Sequence, residues 1–413
     1  MRRVVVTGLG TVNALGCSVA ESWPRMLEGA NGVREIDFFD ASALPVRFAA
    51  HTPYAVDAHF EAPDQRKLDP FTMFALTASD EALADAGLAP NALEEVERER
   101  FGCIIGTGIG GIGGIIEQHL VMLERGARRV SPHFIPKIMA NAVSGQVAIR
   151  HGLLGTVFTT SSACASSGHA IGMAFYSIRG GESDVVVTGG SEAATIPLSL
   201  AGFASAKALS TRNEDPGAAS RPFDADRDGF VMGDGAGVLV FEEYERAKAR
   251  GARIYAEVKG FGSTDDAFHI TAPKEDGSGP ARALQLAIRQ AGIDPDTVDY
   301  INAHGTSTKY NDAIETRAIK RVFGDHAREL AVSSTKSMIG HLLGASSAVE
   351  LVATVLSVRD QIVHPTRNYT TPDPDCDLDY VPGSARRTTV RNALSNSLGF
   401  GGHNVSICVG QVD

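Results

Sequence analysis

The sequence predicts an α/β protein made of two similar halves, and three observations lead to that prediction. Short runs rich in β-branched residues end in glycine and alternate with helical stretches, at 4–10, 101–108, 184–190, 237–243, 298–305 and 404–410. These runs are continuously apolar, which is typical of strands covered by helices on both faces. Finally, two kinds of segment recur along the chain, once in each half.

The first recurring segment is a helix that stops at Ala-Gly, meets a proline and leads into a strand with a glycine-rich loop. ALADAGLAP at 82–90 precedes FGCIIGTGIG, and LAIRQAGIDP at 286–295 precedes VDYINAHGTS. The glycine supplies a left-handed helix cap and the proline prevents continuation. The second segment is a polar loop that opens a small-residue helix, at 161–175 and 333–356. We therefore predict an N-terminal half, 1–250, and a C-terminal half, 251–413.

Composition and charge limit the classes of function. The 413 residues are 43% hydrophobic and 21% charged, which is ordinary for a globular protein with a large core. A formal net charge of −11 argues against nucleic acid as the main partner, because neutralising phosphates needs a surplus of Lys and Arg. No stretch approaches the roughly 18 apolar residues of a membrane-spanning helix. We expect a soluble, cytoplasmic protein that does not bind membranes.

The cysteines and the N-terminus agree with a reducing compartment. The five cysteines are odd in number, widely spaced and without a C-x-x-C pair, so neither a disulfide framework nor a zinc site is indicated. The N-terminal MRRVVVTGLG has two arginines, as a signal peptide would. Its apolar run breaks at Gly8 and Gly10, however, which indicates a buried strand and a turn.

Cys164 is the candidate nucleophile. It lies in TTSSACASSGHAIG, after a β-prone run at 156–160 and just before a helix of small residues. At a helix N-terminus the macrodipole and free N–H groups stabilise a thiolate, so we expect a lowered pKa for this thiol. The other four cysteines lack this setting, and we interpret them as buried, unreactive residues: Cys17, Cys103, Cys376 and Cys408.

A cysteine nucleophile needs a positioned imidazole and an oxyanion hole. His304 in NAHGTST follows a strand, and His341 in STKSMIGHLLGASS precedes an apolar helix, five residues after Lys336. Phe400 in LSNSLGFGGHN is flanked by glycines that let its backbone approach a ligand. The glycine-rich GTGIGG at 106–111 lacks the full G-x-G-x-x-G register and the later acidic residue, which excludes nicotinamide binding.

The ordered motifs SACASSGHAIG, RPFDADRDGFVMGDGAG, NAHGTSTKYND, SSTKSMIGHLLGA and SNSLGFGGHN resemble the β-ketoacyl-acyl-carrier-protein synthases, and most closely the synthase II branch of bacterial fatty-acid synthesis. The resemblance runs from VVVTGLG to CVG. It implies the thiolase fold, a five-layered α-β-α-β-α arrangement of two similar halves, and a homodimer. It also implies an acyltransferase that elongates acyl chains by decarboxylative condensation with malonyl-carrier protein.

The resemblance carries roles onto single residues. It makes Cys164 the acyl acceptor, His304 and His341 the pair that promotes decarboxylation, and Lys336 their electrostatic support. The N–H groups of Cys164 and Phe400 would form the oxyanion hole, with the Phe400 ring as a gate. It implies two further groups of substrate contacts, with the acyl pocket at Ile109 and Phe203 and the phosphopantetheine arm at Thr306 and Thr308.

Partners and bound groups are implied in the same way. Acyl-carrier and malonyl-carrier proteins would dock on a basic patch formed by Arg66, Lys67, Arg128, Arg129 and Lys207. No cofactor is expected, because the carrier protein supplies the phosphopantetheine. Relatives bind a structural monovalent cation near the residues that match Asn302, Glu315, Glu350 and Asn396, so this site too is an expectation here.

The chain departs from the family pattern at two places, and rival functions remain. Ser162 replaces a more usual threonine, and Ala345, Ser346 and Ser347 replace A-[AG]-G after the second histidine loop. A polyketide-type ketosynthase would share the same residues. The inactive subunits that partner such ketosynthases lack the cysteine, whereas this chain has Cys164. A thiolase would need a second catalytic cysteine in a glycine loop near the C-terminus. A noncatalytic carrier-binding scaffold is a further alternative, which trapping with a thiol alkylator would identify.

Overall fold

The structure, a computed structural model, describes residues 1–412. Its helices are α1 (Val19–Leu27), α2 (Val56–His59), α3 (Ala62–Gln65), α4 (Pro70–Asp85), α5 (Glu95–Arg98), α6 (Ile112–Arg125), α7 (Phe134–Ile138), α8 (Ala142–His151), α9 (Ser166–Arg179), α10 (Pro197–Ser205), α11 (Tyr244–Ala249), α12 (Ser278–Ala291), α13 (Lys309–Phe323), α14 (Lys336–Ile339) and α15 (Ser346–Asp360).

The strands lie between and after these helices. They are β1 (Val4–Val12), β2 (Arg34–Glu35), β3 (Phe48–Ala49), β4 (Phe101–Gly106), β5 (Val157–Thr160), β6 (Val185–Glu192), β7 (Gly235–Glu243), β8 (Ala256–Asp265), β9 (Tyr300–Asn302), β10 (Ala331–Ser333), β11 (Ile362–Val363), β12 (Arg386–Arg387), β13 (Asn392–Gly399) and β14 (His403–Gly410). The six runs predicted as strands are all confirmed.

Ten strands form one hydrogen-bonded sheet whose two ends have the same topology. Within residues 4–243 the five strands are β1, β4, β5, β6 and β7, and they lie side by side in the order 3-2-4-5-1. Within 256–410 the five strands are β8, β9, β10, β13 and β14, and they lie in that same order. The two sets join where β1 pairs with β8, with Val4 opposite Val258. This repeat of strand order is what a duplicated unit would give.

Helices form three layers around the strands. Helices α4 and α8 cover the outer face of the first set, and α12 and α13 cover the outer face of the second. Between the two sets, α9 and α15 pack against each other and against strands of both. Every residue of α15 from Ser346 to Val358 is buried. The five-layered α-β-α-β-α arrangement is therefore confirmed.

Local sequence explains where the outer helices end. Helix α12 stops at Ala291, and Gly292 follows in the left-handed region at φ 67°. Helix α4 stops at Asp85, followed by Gly87 at φ 65°. Both glycines accept a conformation that disfavours other residues, as the Ala-Gly pattern predicted. The sequence did not predict β8, whose AEVKGFGSTD mixes charged, polar and glycine residues.

Two general expectations can be compared with the structure. All five cysteines are free thiols, and four of them are buried. Among residues 1–412, no helix has both the length and the apolar character needed to span a bilayer.

Candidate active site

The loop that carries Cys164 is a sharp turn between β5 and α9. Ala163 adopts a positive φ of 51°, which is costly for a residue with a Cβ, and the surrounding serines hold it there. The Ser166 hydroxyl donates to the Ala163 carbonyl at 2.6 Å and accepts the Ser162 N–H at 2.9 Å. The turn leaves Cys164 immediately before the first turn of α9, as predicted.

The β13–β14 hairpin closes over this loop. A Cβ at Gly399 would lie 2.9 Å from the Ser162 carbonyl oxygen, so only glycine allows the two backbones to approach this closely. The Ser397 hydroxyl also donates to the Cys164 carbonyl at 2.9 Å. As a result, the backbone N–H groups of Phe400 and Cys164 both face the Cys164 sulfur and favour its thiolate.

The prediction of a lowered pKa for Cys164 is wrong. Burial raises the pKa of the Cys164 thiol to about 11, and the nearby Glu192 carboxylate raises it further. The charge of Lys336 and the N–H groups of Phe400 and Cys164 lower the pKa without cancelling the effect of burial. The free site therefore holds a neutral thiol, which needs a base when it reacts.

His341 is placed to act on that thiol. Its Nε2 lies 3.0 Å from the Cys164 sulfur, and its Nδ1 lies 2.8 Å from the Ser346 hydroxyl. Burial, assisted by the charge of Lys336, holds the pKa of His341 well below its ordinary value. The imidazole is therefore neutral, with one nitrogen able to donate and the other able to accept.

His304 lies beside His341, with ring centroids 5.4 Å apart, but it has a different partner. Lys336 Nζ contacts its Nδ1 at 3.3 Å and is ion-paired with Glu350. Because an amine donates to Nδ1, the proton of the neutral ring is assigned to Nε2. Burial lowers the pKa of His304 well below its ordinary value, with smaller contributions from Lys336 and His341. His304 is thus a neutral, fixed hydrogen-bond donor.

The side chains of Cys164, His304 and His341 have possible ligand atoms within 4.8 Å of one another, a spacing that also suits a metal site. A metal ligand must offer a free lone pair, however, and His304 has none to offer, because Nδ1 accepts from Lys336 and Nε2 carries the proton. The site of Cys164, His304 and His341 is therefore better suited to acid–base chemistry than to holding a metal.

The four residues matched to a monovalent cation site lie directly behind His304. Glu315 accepts the N–H of His304 at 2.8 Å and the side-chain amide of Asn396 at 3.3 Å. The amide of Asn302 donates to the backbone carbonyl of Glu350 at 3.0 Å. Within the described chain, the second carboxylate oxygen of Glu350 is buried without a hydrogen-bond partner. Two neighbouring buried carboxylates and an unpartnered oxygen fit a bound cation.

A cavity of about 490 Å³ opens onto Cys164, His304 and His341. It collects every predicted substrate residue, namely Ile109, Phe203, Thr306 and Thr308, together with Phe400. Thr306 and Thr308 share a hydrogen bond of 2.9 Å between their hydroxyl groups. Among the other lining residues, which the sequence did not indicate, are Phe230, Leu343 and Lys309.

The predicted docking residues divide into two groups. Lys207 lines the cavity and is exposed beside it. The others are exposed but contribute nothing to the cavity lining: Arg66, Lys67, Arg128 and Arg129. Lys67 lies 3.8 Å from Asp64, an exposed pair that contributes little stability.

Glu192 is a site residue that sequence reasoning missed. Its buried carboxylate accepts the N–H groups of Gly108, Ile109 and Gly344 at 2.7 to 3.1 Å, and the Thr107 hydroxyl at 3.0 Å. It thereby joins the loop of Ile109 to the loop of Leu343, on two sides of the cavity. Neither motif nor helix position pointed to it, because its partners lie about 85 and 150 residues away.

Glu192 also gives a pH prediction. Burial raises its pKa to about 7, so the folded protein keeps a proton that the unfolded chain releases above its ordinary 4.5. Stability should therefore fall as pH rises from 5 to 8, by on the order of 3 kcal/mol from this group. Urea unfolding of wild type and Glu192→Gln at pH 5.5 and 8 tests this. We expect Glu192→Gln to be less sensitive to pH, and equal sensitivity would contradict the assignment.

The comparisons with known proteins agree with this geometry. The model of the β-ketoacyl synthase N-terminal domain matches residues 1–247, and that of the C-terminal domain matches residues 255–370. The chain belongs to the β-ketoacyl synthase family. It is therefore a condensing enzyme of the acyltransferase type, and its five layers are those of the thiolase fold.

Curated relatives of this β-ketoacyl synthase are similar over nearly their whole length. The 3-oxoacyl-[acyl-carrier-protein] synthase 2 of Synechocystis is 50% identical, covering 98% of this chain and 97% of the relative. The protein of that name from Rhizobium meliloti is 49% identical, with 98% of each covered. Among solved structures, a β-ketoacyl synthase from Burkholderia phymatum has 39% identity and a TM-score of 0.91 over both whole chains. A type II polyketide ketosynthase, solved in complex with its acyl-carrier protein, has 38% identity and a TM-score of 0.92, again over both whole chains.

Proposed function

We propose that the chain is a 3-oxoacyl-[acyl-carrier-protein] synthase that condenses an acyl group held on Cys164 with malonyl-carrier protein. The observation that carries this proposal is the arrangement of two neutral imidazoles around one buried thiol in a single cavity, with two backbone N–H groups facing the sulfur. Relatives of that name, about 50% identical over nearly the full length, support it.

In the first half-reaction, Cys164 takes the acyl group from the carrier thioester. His341 Nε2 accepts the thiol proton as the sulfur attacks the thioester carbonyl. The N–H groups of Cys164 and Phe400 hold the developing oxyanion. The bond to the carrier sulfur then breaks, and the leaving thiolate takes the proton from His341. Cys164 ends as a thioester, and the carrier protein leaves with a free thiol.

In the second half-reaction, malonyl-carrier protein enters the same cavity. His304 and His341 donate hydrogen bonds to its thioester carbonyl while carbon dioxide departs, leaving an enolate. Neutral donors suit this step, and the pKa values of both rings are lowered. The enolate carbon attacks the acyl-Cys164 carbonyl, and the carbon–sulfur bond breaks. The thiolate left on Cys164 then takes up one proton from water. The product is a 3-oxoacyl chain longer by two carbons.

The rest of the cavity divides between the two parts of the substrate. Ile109 and Phe203 offer apolar surface for the acyl chain, and Phe203 packs against Phe230, which packs edge-on against His341. The hydroxyls of Thr306 and Thr308 offer polar contacts for the phosphopantetheine arm. No cofactor enters these steps. A monovalent cation bound by Glu315 and Glu350 would neutralise the charge behind His304.

Ile109 is expected to limit the length of the acyl chain. It lines the cavity, and Glu192 fixes its backbone, so a larger side chain cannot move aside without cost. Ile109→Phe should slow reaction with long primers selectively while short primers still react. Elongation rates with acyl-carrier proteins of graded chain length measure this. Ile115→Phe, an exposed change outside the cavity lining, is the control, and equal loss at every length would indicate misfolding.

Carrier proteins are expected to dock on the exposed basic side chains that the family resemblance indicates. Arg66 and Lys67 are exposed, and Lys207 stands at the cavity itself. Reversing both charges, with Arg66→Glu and Lys67→Glu, should weaken apparent affinity for acyl-carrier protein at low salt, and the difference should shrink as salt screens it. Lys248→Glu on α11 is the matched control. Unchanged affinity of the double variant at low salt contradicts this docking surface.

The assembly and location that we propose rest on three further features. The apolar residues Val157 and Phe158 lie on β5, an edge strand, and remain more than one-third exposed. An edge of this kind supports a homodimer, because a second copy would cover it. Five free thiols support the cytoplasm as the compartment. The repeated strand order supports halves at 1–250 and 251–413.

One assay tests the proposal and its nearest rival. Purified protein, given acyl- and malonyl-carrier proteins, should yield 3-oxoacyl products two carbons longer than the primer. A polyketide-type ketosynthase remains the second candidate, since a structural neighbour of that kind is 38% identical. Repeated extension without reduction would favour the polyketide function. No product with any primer, together with a Cys164 inert to alkylation, would favour a noncatalytic scaffold.

A further inference from the structure

Glu192 holds two loops of the cavity through its two carboxylate oxygens. Oε1 accepts hydrogen bonds from the N–H of Ile109 at 3.1 Å and from the hydroxyl of Thr107 at 3.0 Å. Oε2 accepts from the N–H groups of Gly108 at 2.7 Å and Gly344 at 2.9 Å. Four donors therefore converge on one side chain, which is buried at the end of β6. Hydrogen bonds to an ionised acceptor are stronger than neutral ones, and breaking one in a buried site leaves the donor unsatisfied.

The backbone around this carboxylate approaches it closely. A Cβ at Gly108 would lie 2.8 Å from Glu192 Oε2, and a Cβ at Gly344 would lie 2.1 Å from the Gly108 nitrogen. Any other residue at these two positions would push the loops and the carboxylate apart. Leu343, the residue before Gly344, adopts a positive φ of 46°, which is costly for a residue with a Cβ. The bond from Gly344 to Glu192 helps to hold this conformation, so the carboxylate positions Leu343 as well as Ile109.

Both of these residues face the same cavity as the nucleophile. Ile109, Leu343 and Cys164 all line it, whereas Glu192 does not. The Ile109 side chain can turn about its own bonds, but its backbone cannot withdraw without breaking the hydrogen bond to Glu192. An acyl chain that is longer than the pocket must displace this backbone. The free-energy cost of admitting such a chain therefore includes the loss of that hydrogen bond.

We propose that Glu192 is a specificity-determining positioning residue, which limits the length of the acyl chain by holding the backbone of Ile109 in the cavity wall. This inference rests on the proposed function. The limit then depends on more than the size of the Ile109 side chain, because it also depends on a carboxylate that does not contact the substrate. Removing that carboxylate should extend the range of primers that the protein accepts, even though Ile109 is unchanged.

The test variant is Glu192→Gln, which keeps the shape of the side chain but has only one accepting oxygen. The other position carries an amide nitrogen, which itself needs an acceptor. The hydroxyl of Thr107 can turn and accept, whereas the N–H groups of Gly108 and Gly344 can only donate. The amide nitrogen should therefore take the place of Oε1, and the N–H of Ile109 then loses its acceptor.

Elongation rates with acyl-carrier proteins of graded length measure the effect. The assay is run at pH 8, because the pKa of Glu192, raised to about 7, leaves the wild-type carboxylate mostly ionised there. The first step finds the primer length at which the wild-type rate falls. In Glu192→Gln, kcat/KM for primers just beyond this length should rise roughly 10-fold relative to kcat/KM for short primers, since long primers no longer break a buried hydrogen bond.

Glu81→Gln is the matched control. Glu81 on α4 accepts the N–H groups of Thr11 at 2.9 Å and Val19 at 2.7 Å, and burial raises its pKa to about 7, as it does for Glu192. It contributes nothing to the cavity lining. Its replacement should therefore leave the ratio between long and short primers unchanged, whatever it does to stability.

Two further measurements test whether Glu192 acts through Ile109. Ile109→Phe should penalise long primers less in the Glu192→Gln background than in wild type, because the wall can then withdraw. Hydrogen–deuterium exchange at residues 107–110 should be faster in Glu192→Gln and unchanged in Glu81→Gln. Thr107→Val serves if Glu192→Gln does not fold. It removes one of the four donors, so it should shift the primer ratio in the same direction by a smaller factor.

An unchanged ratio of long to short primers in folded Glu192→Gln would overturn the inference. Equal loss at every primer length would also overturn it, because Glu192 would then only support folding. A penalty of Ile109→Phe that is the same in both backgrounds would show that Glu192 does not act through Ile109, against the proposal. Failure of wild type to elongate any primer, with faster exchange at 107–110 still present in Glu192→Gln, would instead overturn the proposed function and the inference with it.

Discussion

Cys164→Gln is expected to abolish condensation and still release carbon dioxide from malonyl-carrier protein. The glutamine carbonyl would lie about where the carbonyl of an acyl-cysteine lies, within reach of the Phe400 and residue 164 N–H groups that face the sulfur. The variant therefore resembles the acylated state without holding a transferable group. The two neutral imidazoles, which carry out decarboxylation, remain in place.

The histidine variants should behave in the opposite way. His304→Ala and His341→Ala each remove one preorganised donor to a developing negative charge, which typically costs on the order of 10²- to 10³-fold in rate. The rate of carbon dioxide release from malonyl-carrier protein can be compared directly among all three variants. His326 lies outside the cavity lining, so His326→Ala is the control. An inert Cys164→Gln, together with wild-type decarboxylation in either histidine variant, would refute these roles.

Local patterns predicted most of what positions this site. The Ala-Gly stops of α4 and α12 and the continuous apolar strands are read from neighbouring residues, and they indicated that helices cover the strands on both faces. The number of layers came only from the family resemblance. The loops of Cys164, His304 and His341 follow from the same reading, because each begins where a regular element ends. Strand β8 was not predicted because helix α12 and the neighbouring strands bury it, while its own sequence shows neither a continuous apolar run nor an alternation of apolar and polar residues.

The electrostatics of the site could not be read in this way. Helix position alone indicates a lowered pKa for Cys164, but burial among distant segments outweighs it. The carboxylate of Glu192 enters the site from β6, and Glu350 enters from α15, each through contacts with residues far along the chain. The sequence marked Ser346 only as a departure, since its contact with His341 depends on how the loop folds back onto α15.

The ion pair of Lys336 and Glu350 should give the largest effect on stability. Both side chains are 1% exposed, so removing either partner leaves the other buried without its counter-charge. Glu350→Gln is expected to lower the free energy of unfolding by about 3 to 5 kcal/mol, the usual cost of breaking a buried ion pair. It leaves an amine close to His304 with no carboxylate beside it.

Lys336→Met should destabilise the protein less than Glu350→Gln does, because the carboxyl group of Glu350 that remains can take up a proton. The pKa of Glu350 is already raised to about 7 by burial, and Lys336 is the main group that lowers it. Without Lys336 this pKa should rise further. The folded variant then holds a proton that the unfolded chain gives up above pH 4.5, so its stability should fall as pH increases. His304 also loses its Nδ1 donor, and decarboxylation should decline at every pH.

Urea unfolding at pH 6 and pH 8 tests the asymmetry between the two partners. We expect Glu350→Gln to have the lower free energy of unfolding of the two single variants at pH 6. The free energy of unfolding of Lys336→Met should fall between pH 6 and pH 8. The double variant, with no charge left unpaired, should cost less than the sum of the two single changes. Additive losses that do not vary with pH would mean that the two side chains contribute by packing, and the electrostatic role assigned to Lys336 would then be wrong.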